Sequence, residues 1–203
     1  MSSATLVRLG GLAALVGGVL ITIMTPVGFV ALDYENFDQT ARTGAYALTS
    51  LLYLLAVIFV LGGLVGLYAG QSEEAGALGL FGFLVAFLGT TLVVGAAWFE
   101  AFAARTLALA VPGFFEDDPA GWLGWGMGLA YVLAALGWLL FGVATLRAGV
   151  YPRWAAIVLI VGAVLLGLPV PGLEIVLAVA VAWLGFALFM GRVALAERPE
   201  RAR

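Results

Sequence analysis

The sequence predicts an all-α fold: a polytopic membrane bundle of six transmembrane helices, with both termini on the cytoplasmic side. Three observations lead there. Hydrophobic residues fill 64% of 203 positions, charged residues hold only 10%, and the mean hydropathy is +1.14. A soluble domain is about a quarter charged, so this chain has too little polar surface to face water. The apolar positions fall into six runs joined by short loops, with no polar stretch long enough to make a soluble domain. Of the nine cationic residues, all Arg, seven lie in the two ends of the chain and the turn from Arg147 to Arg153. The whole chain, 1–203, reads as one transmembrane domain.

The first run covers about 8–32 and is longer than a signal-peptide core, with no small-residue cleavage site behind it, so it is a retained span. Pro26 near its far end is a place for a kink. An acidic loop comes next, Asp33 to Asp38, and Arg42 stands before the second span, about 43–69. That span carries Gly62, Gly66 and Gly70 at four-residue spacing, a small-residue stripe that lets two helices approach closely. Gln71 to Glu74 is a tight turn in which Ser72 is the expected N-cap and the two glutamates suit the positive helix end.

The third span, about 73–110, has no Pro until Pro112. From Glu73 to Glu100 a helix rises about 40 Å, more than the ~30 Å hydrocarbon core, so Glu100 and Arg105 are expected at the outer headgroups. Thr90 and Thr91 lie deeper, where their hydroxyls are expected to bond back to the preceding turn. The main outer loop holds Glu116, Asp117 and Asp118, and Asp118-Pro119 reads as a helix start. The fourth span, about 119–147, opens with Trp122 and Trp125 at the level of an interfacial aromatic belt and carries Gly124-x-x-x-Gly128, a second candidate for close packing. The fifth, about 152–168, is short. Pro169 to Gly172 turns the chain, and Glu174 opens the sixth, about 173–192.

With both ends inside, Arg8, Arg147, Arg153, Arg192, Arg198, Arg201 and Arg203 fall on the cytoplasmic side, and only Arg42 and Arg105 outside. That is the positive-inside asymmetry. The segment Arg8 to Pro26 also aligns without gaps on Arg153 to Pro171, with six identities in 19 positions, which suggests a duplicated hairpin. All-Arg usage with abundant Ala and Gly points to a GC-rich prokaryotic genome, and so to a prokaryotic cytoplasmic membrane.

The turn between the fourth and fifth spans runs from Arg147 through Gly149 to Pro152-Arg153-Trp154. It resembles the R-x-G-x-x-P-R turn between spans four and five of an uncharacterised bacterial family of six-helix integral membrane proteins, grouped as a domain of unknown function. The resemblance rests on Arg147, Gly149, Pro152 and Arg153 and on the order of the spans. It implies the six-helix fold and its topology, and it brings no substrate.

Absent residue types narrow the chemistry. Without His, Cys or Lys the chain offers no imidazole for haem, no usual zinc ligand, no thiolate and no Schiff-base amine, so no cofactor is expected. The acidic loops have oxygen ligands but not calcium-loop spacing, and read as solvated loops rather than a metal site. No span has a charge at its midpoint, as proton- or ion-coupled transporters usually do. The expectation is a non-catalytic membrane protein that binds a lipid-like or hydrophobic small molecule, or an accessory subunit of a membrane complex. The alternative is a small transporter or channel. Membrane lipids, a second copy and a membrane complex are the candidate partners, and nucleic acid is not among them.

One place draws this expectation to a site. The 16 residues from Arg153 to Leu168 rise only about 24 Å, so the connection to Glu174 should lie below the ends of its neighbours. That would leave a recess lined by Trp98, Phe99, Trp122 and Trp125, with Glu174 orienting a polar head and Arg42 or Arg105 offsetting its charge.

Overall fold

A computed structural model of the chain describes residues 3–115 and 121–191. Glu116, Asp117, Asp118 and Pro119, the predicted acidic loop and helix start, lie outside the described residues, as do Arg192, Arg198, Arg201 and Arg203 of the tail. Among the described residues all regular structure is helical: α1 (Ser3–Ala31), α2 (Phe37–Ala41), α3 (Gly44–Ala69), α4 (Ser72–Trp98), a π-helical turn (Phe99–Ala104), α5 (Arg105–Ala110), α6 (Trp122–Ala148), α7 (Arg153–Leu166) and α8 (Glu174–Phe189).

Four of these stretches are long and apolar enough to cross a membrane: Thr5–Ala31, Gly44–Ala69, Ser72–Ala110 and Trp122–Ala148. The other two apolar helices, α7 and α8, have 14 and 16 residues, or about 21 and 24 Å. This composition and architecture are those of a membrane protein. Large apolar side chains such as Phe81, Leu88, Leu129 and Leu136 stand exposed along the long helices, as a lipid-facing surface requires.

The helices form a closed ring. In order around it come α1, α3, α4, α6, α7 and α8, each packed on the next, with α1 closing on α8. Since lipid supplies no hydrophobic drive for helices to associate, close backbone approach and dispersion contact must do it. Small residues make that approach possible. A Cβ at Gly66 would stand 2.5 Å from the Gly10 Cα, and one at Gly137 would overlap the backbone at Ala86. The predicted stripe is only partly used. Gly66 faces α1, Gly70 faces Tyr151 and Leu188, but Gly62 is exposed, with only Ala13 Cβ at 3.9 Å, and buried Gly63 takes its place against Ala14. A rotation of about a hundred degrees per residue is why: positions four apart drift round the helix, so one face needs spacings of three and four alternately. Gly128 has open space where a Cβ would be, and Gly124 is half-buried, so Gly128 is no packing contact within the chain.

Trp138, Phe141, Leu64, Leu67, Leu159 and Leu184 fill the centre of the ring. The end bearing Arg8, Arg147 and Arg153 is closed by polar contacts. Gln71 Nε2 donates to Thr145 Oγ1 (2.8 Å), and the Tyr151 hydroxyl donates to the Leu67 carbonyl (2.9 Å). The arginine turn is built as its sequence suggests. Gly149 caps α6 at φ +67°, a left-handed conformation that suits glycine, and Pro152 precedes the first residue of α7. Trp154 points outward, 70% exposed. Ser72 does not cap α4. The helix begins at Ser72 itself, after Gln71, with no side-chain cap bond.

The opposite, acidic end of the bundle carries Asp33, Glu35, Asp38, Glu100 and Glu174. The segment expected to be an acidic loop folds back as α2, whose Phe37 meets Tyr46 and Phe115 edge-on, with ring centroids 5.5 and 5.0 Å apart. Ala41, Tyr46, Ala104 and Ala108 form a small second core there. Asp33 accepts from the Glu35 N–H (3.0 Å) and from Asn36 Nδ2 (2.7 Å), and these bonds, led by Asn36, hold its carboxyl below the usual carboxylate range.

Candidate functional site

A recess opens at the acidic end, about 680 Å³ in volume. Short α7 creates it. The helix stops at Leu166, and the turn through Pro169 and Pro171 forms one low wall, while α1, α3 and α6 continue beyond. Gly172, at φ +91°, lets that turn fold against the Phe29 ring. Gly128 on α6 leaves room on the opposite side.

Four of the chain's six tyrosines line the recess: Tyr34, Tyr46, Tyr53 and Tyr131. Tyr46, Ser50 and Tyr53 share it because residues four and seven apart lie on one face of α3. Thr43 caps that helix by accepting from the Tyr46 N–H (3.2 Å), which fixes where the face begins. The Tyr46 side chain is only 3% exposed, and its hydroxyl has no hydrogen-bond partner among the described residues.

Two carboxylates line the recess, Glu174 and Glu100. Glu174 is the first residue of α8, where the free N–H groups and the positive end of the helix favour an anion. Thr25 on α1 donates its hydroxyl to Glu174 Oε1 at 3.2 Å. Glu100 sits in the π-helical turn, is half-buried, and has no hydrogen-bond partner among the described residues. A π turn inserts one residue into an α-helix and rotates the residues beyond it, and such turns are frequent at functional sites. The Tyr34 phenol reports both charges: burial, then Glu100, then Glu174 push its pKa up.

The expected partners of Glu174 are arranged differently. Arg42 is ion-paired with Asp38, four residues before it on α2, and Arg105 does not line the recess. Arg105 is half-buried, with its Nε unpartnered. Trp98, Trp122 and Trp125 turn outward, at 56%, 93% and 77% exposure, and Phe99 joins the small core behind the recess. Tryptophan ends favour the membrane–water interface, which draws these rings to the outside of the bundle. Tyrosine, with its terminal hydroxyl, takes the inner wall instead.

A narrower space of about 50 Å³ adjoins the recess on the ring axis, sharing Tyr53, Tyr131, Leu166 and Glu174 with it. Thr90 and Trp138 border its inner end. There the Trp138 Nε1–H donates to Thr90 Oγ1 at 3.0 Å, so Thr90 serves as an interhelical acceptor. Thr91 does bond back, to the Phe87 carbonyl at 2.7 Å.

The arrangement can hold an elongated molecule with a polar end. Its chemistry is limited to carboxylates, phenols and hydroxyls. No protein-family model, curated protein or solved structure matches the chain, so its activity must be argued from this site.

Proposed function

We propose that the chain is a six-span protein of a prokaryotic cytoplasmic membrane, with both termini inside, that binds one amphipathic, lipid-like molecule in the recess at its outer end without transforming it. In this topology α7 and α8 complete their crossings with the loop residues that flank them. The observation that carries the reading is the recess: about 680 Å³, walled by aromatic and apolar side chains, with a few polar groups that include Glu174 and Glu100. Ligand sites of roughly 300–1,000 Å³ are built this way, apolar for affinity with a few polar groups for orientation.

Binding is favoured over passage by the filling of the ring. Beyond Thr90 and Trp138 the axis is occupied by Phe141, Leu64, Leu159 and Leu184, each fully buried. A transporter needs polar groups or unwound backbone near its midplane. The exposed Trp122, Trp125 and Trp154 leave both ends of the bundle suited to the lipid interface, and the flanks are open to an accessory role beside another membrane protein.

Native mass spectrometry of the protein, purified in a mild detergent, tests the reading. One retained molecule of lipid-like mass per chain is expected, and it should be absent from Gly128→Phe, which fills the recess from a position with open space at its Cβ. Equal adduct patterns for the two proteins would overturn the reading.

A further inference from the structure

We propose that the recess selects an organic cation: an ammonium head held by Glu174 and Glu100 against tyrosine rings, with an apolar chain along Met24, Val132 and Leu165. The inference rests on the binding role argued above and assigns its ligand class.

Charge is the first argument. Two carboxylates enter one cavity, and no cationic side chain among the described residues lines it. Arg42 is engaged by Asp38, and Arg105 lies outside the wall. Glu174 has compensation from Thr25 and the α8 terminus, but Glu100 has no partner among the described residues. A carboxylate withdrawn from water without a counter-charge is costly, and a ligand that brings the counter-charge relieves that cost. An anionic head would meet carboxylates and no cationic side chain there.

The wall decides which kind of cation. A hard metal ion takes about six or more oxygen ligands. Among the described residues no group of three or more His, Cys, Asp or Glu exists to begin such a shell. The recess offers rings instead, from Tyr34, Tyr53, Tyr131 and Phe29. Aromatic faces attract ammonium groups, and carboxylate plus aromatic cage is how quaternary ammonium heads are recognised. The buried Tyr46 hydroxyl, without a hydrogen-bond partner among the described residues, adds a donor and acceptor at the wall.

The test uses the full chain in dodecyl maltoside and four probes, with binding measured by native mass spectrometry and thermal shift. Hexadecyltrimethylammonium should bind one per chain, about tenfold or more tighter than hexadecanol or palmitate, a ratio in keeping with a desolvated cation–aromatic contact beside a carboxylate. Glu174→Gln and Glu100→Gln should each reduce that preference several-fold, and the double variant should bind hexadecyltrimethylammonium and hexadecanol alike. Tetramethylammonium tests the head alone. Binding of it as tight as the long-chain cation identifies a small free ammonium compound as the ligand, and much weaker binding identifies a lipid-like one. If hexadecanol and palmitate bind wild type as tightly as the cation, the charge selection is wrong while the recess remains a binding site. If Gly128→Phe binds every probe as wild type does, the recess is not the site and both readings fall.

Discussion

Replacing Gly66 by alanine adds one methyl group where the Gly10 backbone already stands. The new Cβ would lie 2.5 Å from Gly10 Cα, 2.9 Å from Gly10 C and 3.3 Å from Gly11 N. Ordinary carbon contacts need about 3.5 Å or more, so α1 and α3 must part by roughly 1 Å at this level. Backbone has no rotamer with which to yield. The separation then spreads to the neighbouring contacts of the same seam, Gly63 on Ala14 and Gly17 on Val60. A gap of roughly 0.5–1 Å forfeits about a quarter to a half of each dispersion contact, and overpacking typically costs about 1–3 kcal/mol. For a chain of this length that is a fall in Tm of roughly 2–12 °C. The assay is thermal unfolding in detergent, beside Gly62→Ala on the same helix. A methyl at Gly62 meets only Ala13 Cβ at 3.9 Å, so that variant should melt within about 1 °C of wild type. Equal shifts for the two substitutions would refute the claim that this seam is set by backbone approach.

Thr90→Val should destabilise by about 0.6–2 kcal/mol, because the buried Trp138 Nε1–H loses its acceptor, and Thr90→Ser should restore most of the loss; chemical unfolding in mixed micelles reads both. Tyr151→Phe removes the bond to the Leu67 carbonyl and should cost about 1 kcal/mol in the same assay without changing binding in the distant recess. Single cysteines at Ser72 and Glu35, both exposed and in a chain with no Cys, test the topology. An impermeant maleimide added to intact cells should modify position 35 and leave 72 protected, and the opposite pattern would reverse the orientation.

The bundle is legible in the sequence because apolar length is a one-dimensional quantity. The second span predicted at 43–69 is α3 at Gly44–Ala69, and the short helix α7 ends at the recess that Glu174 also lines. The lining of that recess is less legible. Trp98, Trp122 and Trp125 share its level, but level along an axis does not fix direction around it, and their rings face outward. The usable signal is the hydroxyl-bearing face of α3, Tyr46, Ser50 and Tyr53 at helical spacing in an otherwise apolar run. The π turn at Phe99–Ala104 rotates the residues that follow it, a change of direction that apolar length does not reveal. Arg42 is lost as a partner for Glu174 because the loop before it coils into α2, which brings Asp38 one turn away. Such local pairing competes with any distant partner and wins through proximity.

The recess at the acidic end is proposed to hold one elongated ligand. A high-resolution structure of the chain, extracted from its own membrane and kept in mild detergent, tests it most directly. The expected result is continuous density about one lipid chain in width, its head within hydrogen-bonding reach of Glu174 and Glu100, its tail along Val132 and Leu165. A recess containing only separate water peaks, with ordered lipid confined to the outer faces of the long helices, would contradict it.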